Sequence, residues 1–230
     1  MPPARESLLD AAYTALVHRP WSAVRMVDVA AAAGVSRQTL YNEFGSKGGL
    51  ARALVRREAD GYLAGVDRAL AGPAEPRGRP ATGAWDRPAA APARGRPTAA
   101  DAQDRLTATA EWTASAARDN ALVRALLTGC WNERLPQPAV FSAPSFPTVP
   151  AQRRVDGAPP SPGDFVRTVR DRAVKALTGP GAAPFDTTEL ARSCELVVRL
   201  ALSCVTAPPA GEGGVAVLVR AVLQRQRAVR

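Results

Sequence analysis

Between Arg5 and Arg19 the apolar residues Leu8, Leu9, Ala12, Tyr13, Leu16 and Val17 recur every three or four positions. That is the pattern of a helix with one buried face, and Pro20 ends it. Met26, Val29, Ala30 and Ala33 predict a second, short helix, stopped by Gly34, which takes the left-handed C′ position without Cβ strain. Ser36 is an N-cap residue for a third helix, Arg37 to Phe44, which Gly45 ends. Ser46 caps a long fourth helix running to about Leu70. Gly48, Gly49, Gly61 and Gly65 weaken the fourth helix on propensity, so packing has to hold it. Helical patterning resumes near Asp101 with Leu106, Ala110, Trp112, Ala114 and Ala117. It continues after Asn120 with Leu122, Val123, Leu126 and Leu127, and again from Phe165 to Leu177. Asp186 and Glu189 have the spacing of a capping box opening a helix from Thr187 to about Thr206. That helix is apolar nearly all round, which predicts burial on two sides. A last helix is expected from Gly214 to Ala228. No segment alternates with a period of two, so the expected fold class is all-α.

Two stretches break the pattern. Residues 72–100 are almost entirely Pro, Gly, Ala and Arg and have little to bury, so a disordered insert is expected. Leu135 to Ser161 is Pro-rich without periodicity, and its Val140, Phe141, Phe146 and Val149 suggest a loop laid on a surface.

Composition narrows the chemistry. A net charge of +9 suits a polyanionic partner such as DNA, but the excess is almost all arginine, lysine occurring only at 47 and 175, and such enrichment also accompanies GC-rich coding. Three cysteines (Cys130, Cys194, Cys204) without a CxxC, and the single histidine His18, provide no zinc set and no cofactor is implied. The sequence has no Gly-rich phosphate loop, no GxSxG and no nucleophile–His–carboxylate set, so an enzyme is not expected. With neither an apolar leader nor a run long enough to span a bilayer, the expected location is the cytoplasm, with reduced thiols.

The second and third helices, joined by Ala33-Gly34-Val35-Ser36, form a helix-turn-helix pattern. The tight turn needs Gly34, the helix crossing needs small Ala30 and Ala33, and Val35 and Leu40 anchor the interior. The third helix then exposes Arg37, Gln38, Thr39, Tyr41 and Asn42, side chains suited to a major groove. The segment VDVAAAAGVSRQTLYNEFGSK, residues 27–47, closely resembles the DNA-binding signature of TetR/AcrR-family regulators, D-I-A-x-x-A-G-V-S-x-x-T-L-Y-x-x-F-x-S-K. The resemblance covers about residues 5–70 and departs from the family at two places: Arg25 stands where a threonine usually caps the second helix, leaving Ser22 as the alternative cap, and Gly48-Gly49 replace its usual glutamates. Beyond that only the helical layout is similar.

The resemblance implies a DNA-binding domain at 1–50 and a helical ligand-binding and dimerisation domain at 51–230. It implies that Tyr41 and Lys47 contact phosphates, that Thr39 touches phosphate or a thymine methyl, that Gln38 reads adenine and Arg37 guanine or the backbone, and that Asn42 is a further base-edge candidate, with Ser36 part of the same DNA-binding set. Glu43 is left open between a solvated flank and a cytosine reader. It further implies a homodimer on a palindromic operator, pairing through the last two helices, and a repressor released by a small effector. Trp112, Leu126, Trp131, Phe165 and Val169 are candidates for lining the effector pocket, and the scarcity of charge on those faces favours an apolar effector. Glu195-Leu-Val-Val and Arg199-Leu-Ala-Leu-Ser203 look like regulators of alkane or fatty-acid metabolism from high-GC bacteria. Flexibility of the fourth helix, through Gly61 and Gly65, is expected to help relay the effector signal.

Overall fold

Helix α1, Ala4–His18, buries Leu8, Leu9 and Ala12 against α2, Met26–Ala32, and α3, Arg37–Phe44. Val17, expected on the buried face, is instead 61% exposed. Nine residues of helix carry it half a turn round from Leu8, to the opposite side. A short 3-10 turn, Trp21–Ala23, follows Pro20. Helix α4 is Lys47–Ala71, α5 is Ala99–Asp119 and α6 is Ala121–Thr128. Then come α7, Pro162–Leu177, α8, Pro184–Thr206, and α9, Gly214–Ala228. The computed structural model describes residues 4–72, 98–136, 160–178, 184–209 and 214–228. All the regular structure among them is helical. Most of the 72–100 insert, and Val140, Phe141, Phe146 and Val149, lie outside the described residues.

Two helix starts differ from expectation. Thr98 to Ala100, assigned to the insert, open α5. The Thr98 hydroxyl accepts from the Asp101 N–H at 3.1 Å while the Asp101 carboxylate accepts from the Thr98 N–H at 2.9 Å, a closed capping box. Helix α8 starts at Pro184 rather than at Thr187, since proline's fixed φ and missing N–H suit the first turn. Glu189 pairs with Arg192 at 3.1 Å.

Packing divides the chain into two units, Met1–Gly61 with Ala121–Ser161, and Tyr62–Asn120 with Pro162–Arg230. In this division α6 groups with the N-terminal helices and α4 contributes to both units. In the first, Leu40, Leu50 and Leu54 are fully buried and α6 buries Leu122, Val123, Leu126 and Leu127. In the second, α5 packs on α8 and α9, and α7 on α8. The buried Thr107, Thr109 and Thr113 each return their hydroxyl to the carbonyl four residues back at 2.8 Å, so these polar groups enter the core satisfied.

Helix α8 buries Cys194, Val197, Val198, Ala201 and Cys204, and burial pushes the Cys194 thiol up to about 12, which keeps it a neutral packing group. Its other side leaves Leu196 39% exposed, and α9 leaves Val217 and Leu218 exposed. Among the described residues no helix is long and apolar enough to cross a membrane.

Candidate nucleic-acid interface

Local chain chemistry builds the turn between α2 and α3. Gly34, at φ +67°, donates to the Ala31 carbonyl at 3.1 Å, and Val35 donates to the Ala30 carbonyl at 3.0 Å. This 5→2 and 6→1 pair is the Schellman arrangement, which satisfies the last carbonyls of α2 and turns the chain sharply. Ser36 then caps α3, its hydroxyl accepting from the Thr39 N–H at 3.0 Å and lying 3.0 Å from the Thr39 hydroxyl. Because Leu40 is fully buried and Phe44 nearly so, the rotation of α3 is fixed.

The opposite face is thereby turned outward. Ser36, Arg37, Gln38, Tyr41 and Asn42 are exposed and Thr39 is half-buried. Gln38 donates to the Asn42 side-chain carbonyl at 2.9 Å, so the two amides form one paired unit on consecutive turns. Glu43 lies 3.6 Å from Arg5, which also stacks 4.9 Å from the Phe44 ring centroid. Arg5 thus offsets the one acid of α3.

The start of α2 has no side-chain cap at Arg25, and Ser22 does not supply one. It sits in the 3-10 turn, where its carbonyl accepts from the Lys47 ammonium at 3.0 Å. Asp28 holds this end by accepting from Arg19 and Arg25, both at 3.2 Å, and these partners keep its carboxyl below the usual range. The Asp28 ion pairs are therefore present near neutral pH and are lost as pH falls through the depressed value.

Lys47, the first residue of α4, is brought beside this turn. Its ammonium lies 5.6 Å from the Trp21 ring centroid, and desolvation lowers its pKa. The Ser46 hydroxyl accepts from the Gly49 N–H at 3.1 Å and caps α4 without the expected glutamates. Gly49 is no mere weak point. A Cβ there would lie 1.9 Å from the Phe44 carbonyl oxygen, so the α3–α4 joint closes only on glycine.

The five residues expected to line a pocket are divided. Trp112, Phe165 and Val169 belong to the second unit, Leu126 and Trp131 to the first. Phe165 is fully enclosed, with the Tyr62 ring edge-on at 5.8 Å, and Val169 is completely buried. The Trp112 indole N–H donates to the Tyr62 carbonyl at 3.0 Å, and its ring rests where a Cβ on Gly65 would come within 2.1 Å. Gly65 is thus the seat of Trp112 rather than a source of flexibility. The Tyr62 hydroxyl meets that of Thr113 at 3.1 Å, and burial pushes it up to about 12. Sequence periodicity carried no signal for Tyr62, Thr113 or Trp21, whose partners are remote in the chain. A separate cleft of about 570 Å³ runs between α1 and α2, lined by Ser7, Asp10, Thr14, His18, Arg19 and Asp28 among others.

Comparison with known proteins bears on this region. Residues 8–54 match the family described as bacterial regulatory proteins, tetR family. The HTH-type transcriptional regulator AlkX of Mycobacterium tuberculosis is 52% identical over 66 residues, 29% of this chain and 31% of that protein. The match thus spans less than a third of the relative's length. Among solved structures, the TetR family repressor AlkX from Dietzia sp., implicated in biodegradation of n-alkanes, is 17% identical with a TM-score of 0.45, covering 97% of this chain and 95% of its own. A TetR transcriptional regulator from Rhodococcus sp. is 20% identical with a TM-score of 0.44, covering 96% and 94%.

Proposed function

Since residues 8–54 match the family described as bacterial regulatory proteins, tetR family, we propose that the chain is a TetR-family, sequence-specific DNA-binding transcriptional regulator working in the cytoplasm. We propose further that it is a repressor, binding a palindromic operator as a homodimer. The observation that carries this reading is the outward face of α3. Arg37, Gln38, Tyr41 and Asn42 project from a helix whose rotation is locked by Leu40 and whose start is fixed by Gly34 and Ser36. A helix so held delivers its first turns to a major groove. On this reading Arg37 and the Gln38–Asn42 pair reach base edges. Tyr41, Thr39 and Lys47 take phosphates, Lys47 aided by the positive N-terminus of α4, and Ser36 holds the helix start close to the backbone.

Fluorescence anisotropy on DNA from the gene's own flanking intergenic region, against scrambled DNA over a salt series, tests it. Tyr41→Ala and Lys47→Ala are each expected to weaken binding about tenfold, and Lys47→Ala to lower the salt slope by about one. Equal affinity for both DNAs would leave only a charge-driven binder.

Dimerisation through α8 and α9 is supported by Leu196, Val217 and Leu218, large apolar side chains left open on helices whose other faces are buried. The double variant Leu196→Glu with Leu218→Glu is expected to sediment as a monomer at micromolar concentration and to lose most operator affinity. A dimer of undiminished stability would remove these helices from the interface. Release by a small, apolar effector belongs to the same proposal, supported by the apolar surroundings of Phe165 and Val169 in the second unit.

A further inference from the structure

We infer that Trp21 is a positioning residue for Lys47, and that the turn Asn132–Leu135, which follows α6, holds Trp21 in place. The inference rests on the reading of Lys47 as a phosphate contact and adds what sets that contact.

Lysine carries its charge on a long flexible stem, and freezing it on a phosphate costs rotamer freedom unless something orders it beforehand. Two groups order Lys47. The Ser22 carbonyl accepts from the ammonium at 3.0 Å, and the Trp21 ring lies beneath it at 5.6 Å. The first is a hydrogen bond that a phosphate oxygen can replace. The second is a cation–π contact, which on this inference is kept when a phosphate oxygen takes the carbonyl's place. Desolvation of the ammonium agrees with its lying against the turn rather than trailing in water.

The Trp21 ring needs its own anchor. Trp21 opens a 3-10 turn of three residues, in which its N–H has no partner. That N–H donates instead to the Arg134 carbonyl at 2.8 Å. Arg134 is presented by a tight turn. Leu135 donates to the Asn132 carbonyl at 3.1 Å, and the Arg134 N–H donates to the Asn132 side-chain oxygen at 3.0 Å, an Asx-type closure. Leu135 is buried and pins the turn. A continuous set of contacts therefore runs from the end of α6 through Trp21 to the lysine. A shift of that turn reaches Lys47 without any change in α3.

The test compares Trp21→Leu, Trp21→Phe, Asn132→Ala and Lys47→Ala in the full chain, by anisotropy on the flanking-region DNA over a salt series. Trp21→Leu is expected to lose about five- to tenfold in affinity and to lower the salt slope by about one, as Lys47→Ala does. It is expected to add nothing in the Lys47→Ala background. Trp21→Phe, which keeps a ring face, is expected to keep the slope, and Asn132→Ala to weaken binding about threefold. A wild-type slope in Trp21→Leu, or a full additional loss on top of Lys47→Ala, overturns the inference alone. Wild-type binding by Lys47→Ala overturns the phosphate reading and the inference with it.

Because Trp21 is nearly buried, a second measurement avoids replacing it. The chain has only two lysines, so reductive methylation with 13C-formaldehyde gives two lysine signals beside that of the α-amine, and loss in Lys47→Arg assigns one. The Lys47 signal is expected to be displaced by the indole ring current and to move toward that of Lys175 in Asn132→Ala. Coincident signals in the unsubstituted protein overturn the inference.

Discussion

Gly49→Ala is expected to destabilise the protein by about 3 kcal/mol, the upper part of the range for forcing extra atoms into a packed site, and to remove most DNA affinity. The added Cβ would sit 1.9 Å from the Phe44 carbonyl oxygen and 3.0 Å from its carbon. Both are backbone atoms, so no rotamer change relieves the clash and the α3–α4 joint must open. That displaces the last turn of α3, and with it Tyr41 and Asn42 relative to Lys47. Gly48→Ala is the matched control. Its Cβ would meet only the Arg52 side chain at 3.6 Å and the Ser46 hydroxyl at 3.7 Å, ordinary contacts, so it should be neutral or slightly stabilising. Thermal unfolding is expected to separate the two variants by roughly 6–12 °C for a chain of this size. Equal melting temperatures would show that the joint yields without cost, and the special role of Gly49 would fall.

The second large effect concerns Gly61 and Gly65, which share helix α4 and differ in sign. At Gly61 an added Cβ meets nothing within 4 Å, so alanine there should stabilise by about 0.5–1 kcal/mol through helix propensity. At Gly65 the Cβ would fall 2.1–2.4 Å from three atoms of the Trp112 indole. The indole cannot swing away freely, because its N–H is bonded to the Tyr62 carbonyl and Arg68 lies 5.7 Å from its ring centroid. Alanine at 65 should cost about 2–3 kcal/mol net and red-shift Trp112 emission as the ring is expelled. Urea unfolding of the two single variants reads both signs. A stabilised Gly65→Ala would mean that Trp112 has room to repack, and would restore the view of this glycine as a loose point in the helix.

These cases mark where the sequence was legible. The turn from α2 to α3 was readable in detail, since Gly34, Ser36 and Gly45 act within a few residues of chain and their bonds follow from local backbone geometry. The buried face of α7 was readable too, because Phe165, Val166, Val169, Ala173 and Leu177 repeat at helical spacing. At α8 the Asp186 and Glu189 spacing suggested a start at Thr187, whereas the helix begins three residues earlier, at Pro184. Reading failed at Val17 because six apolar residues in a row of helical spacings span more than one face.

The sequence by itself therefore determined the helical class, the helix-turn-helix and the identity of the side chains that α3 presents, all products of short-range periodicity and capping. Only the tertiary structure decided what the glycines of α4 are for, where the Lys47 ammonium rests, and which tryptophans are pins. The physical reason is the same in each instance. A missing Cβ or an aromatic face has meaning only through the atom that comes against it. For Gly65 and Trp112, or Trp21 and Arg134, that atom arrives from a distant part of the chain, where no local pattern records it.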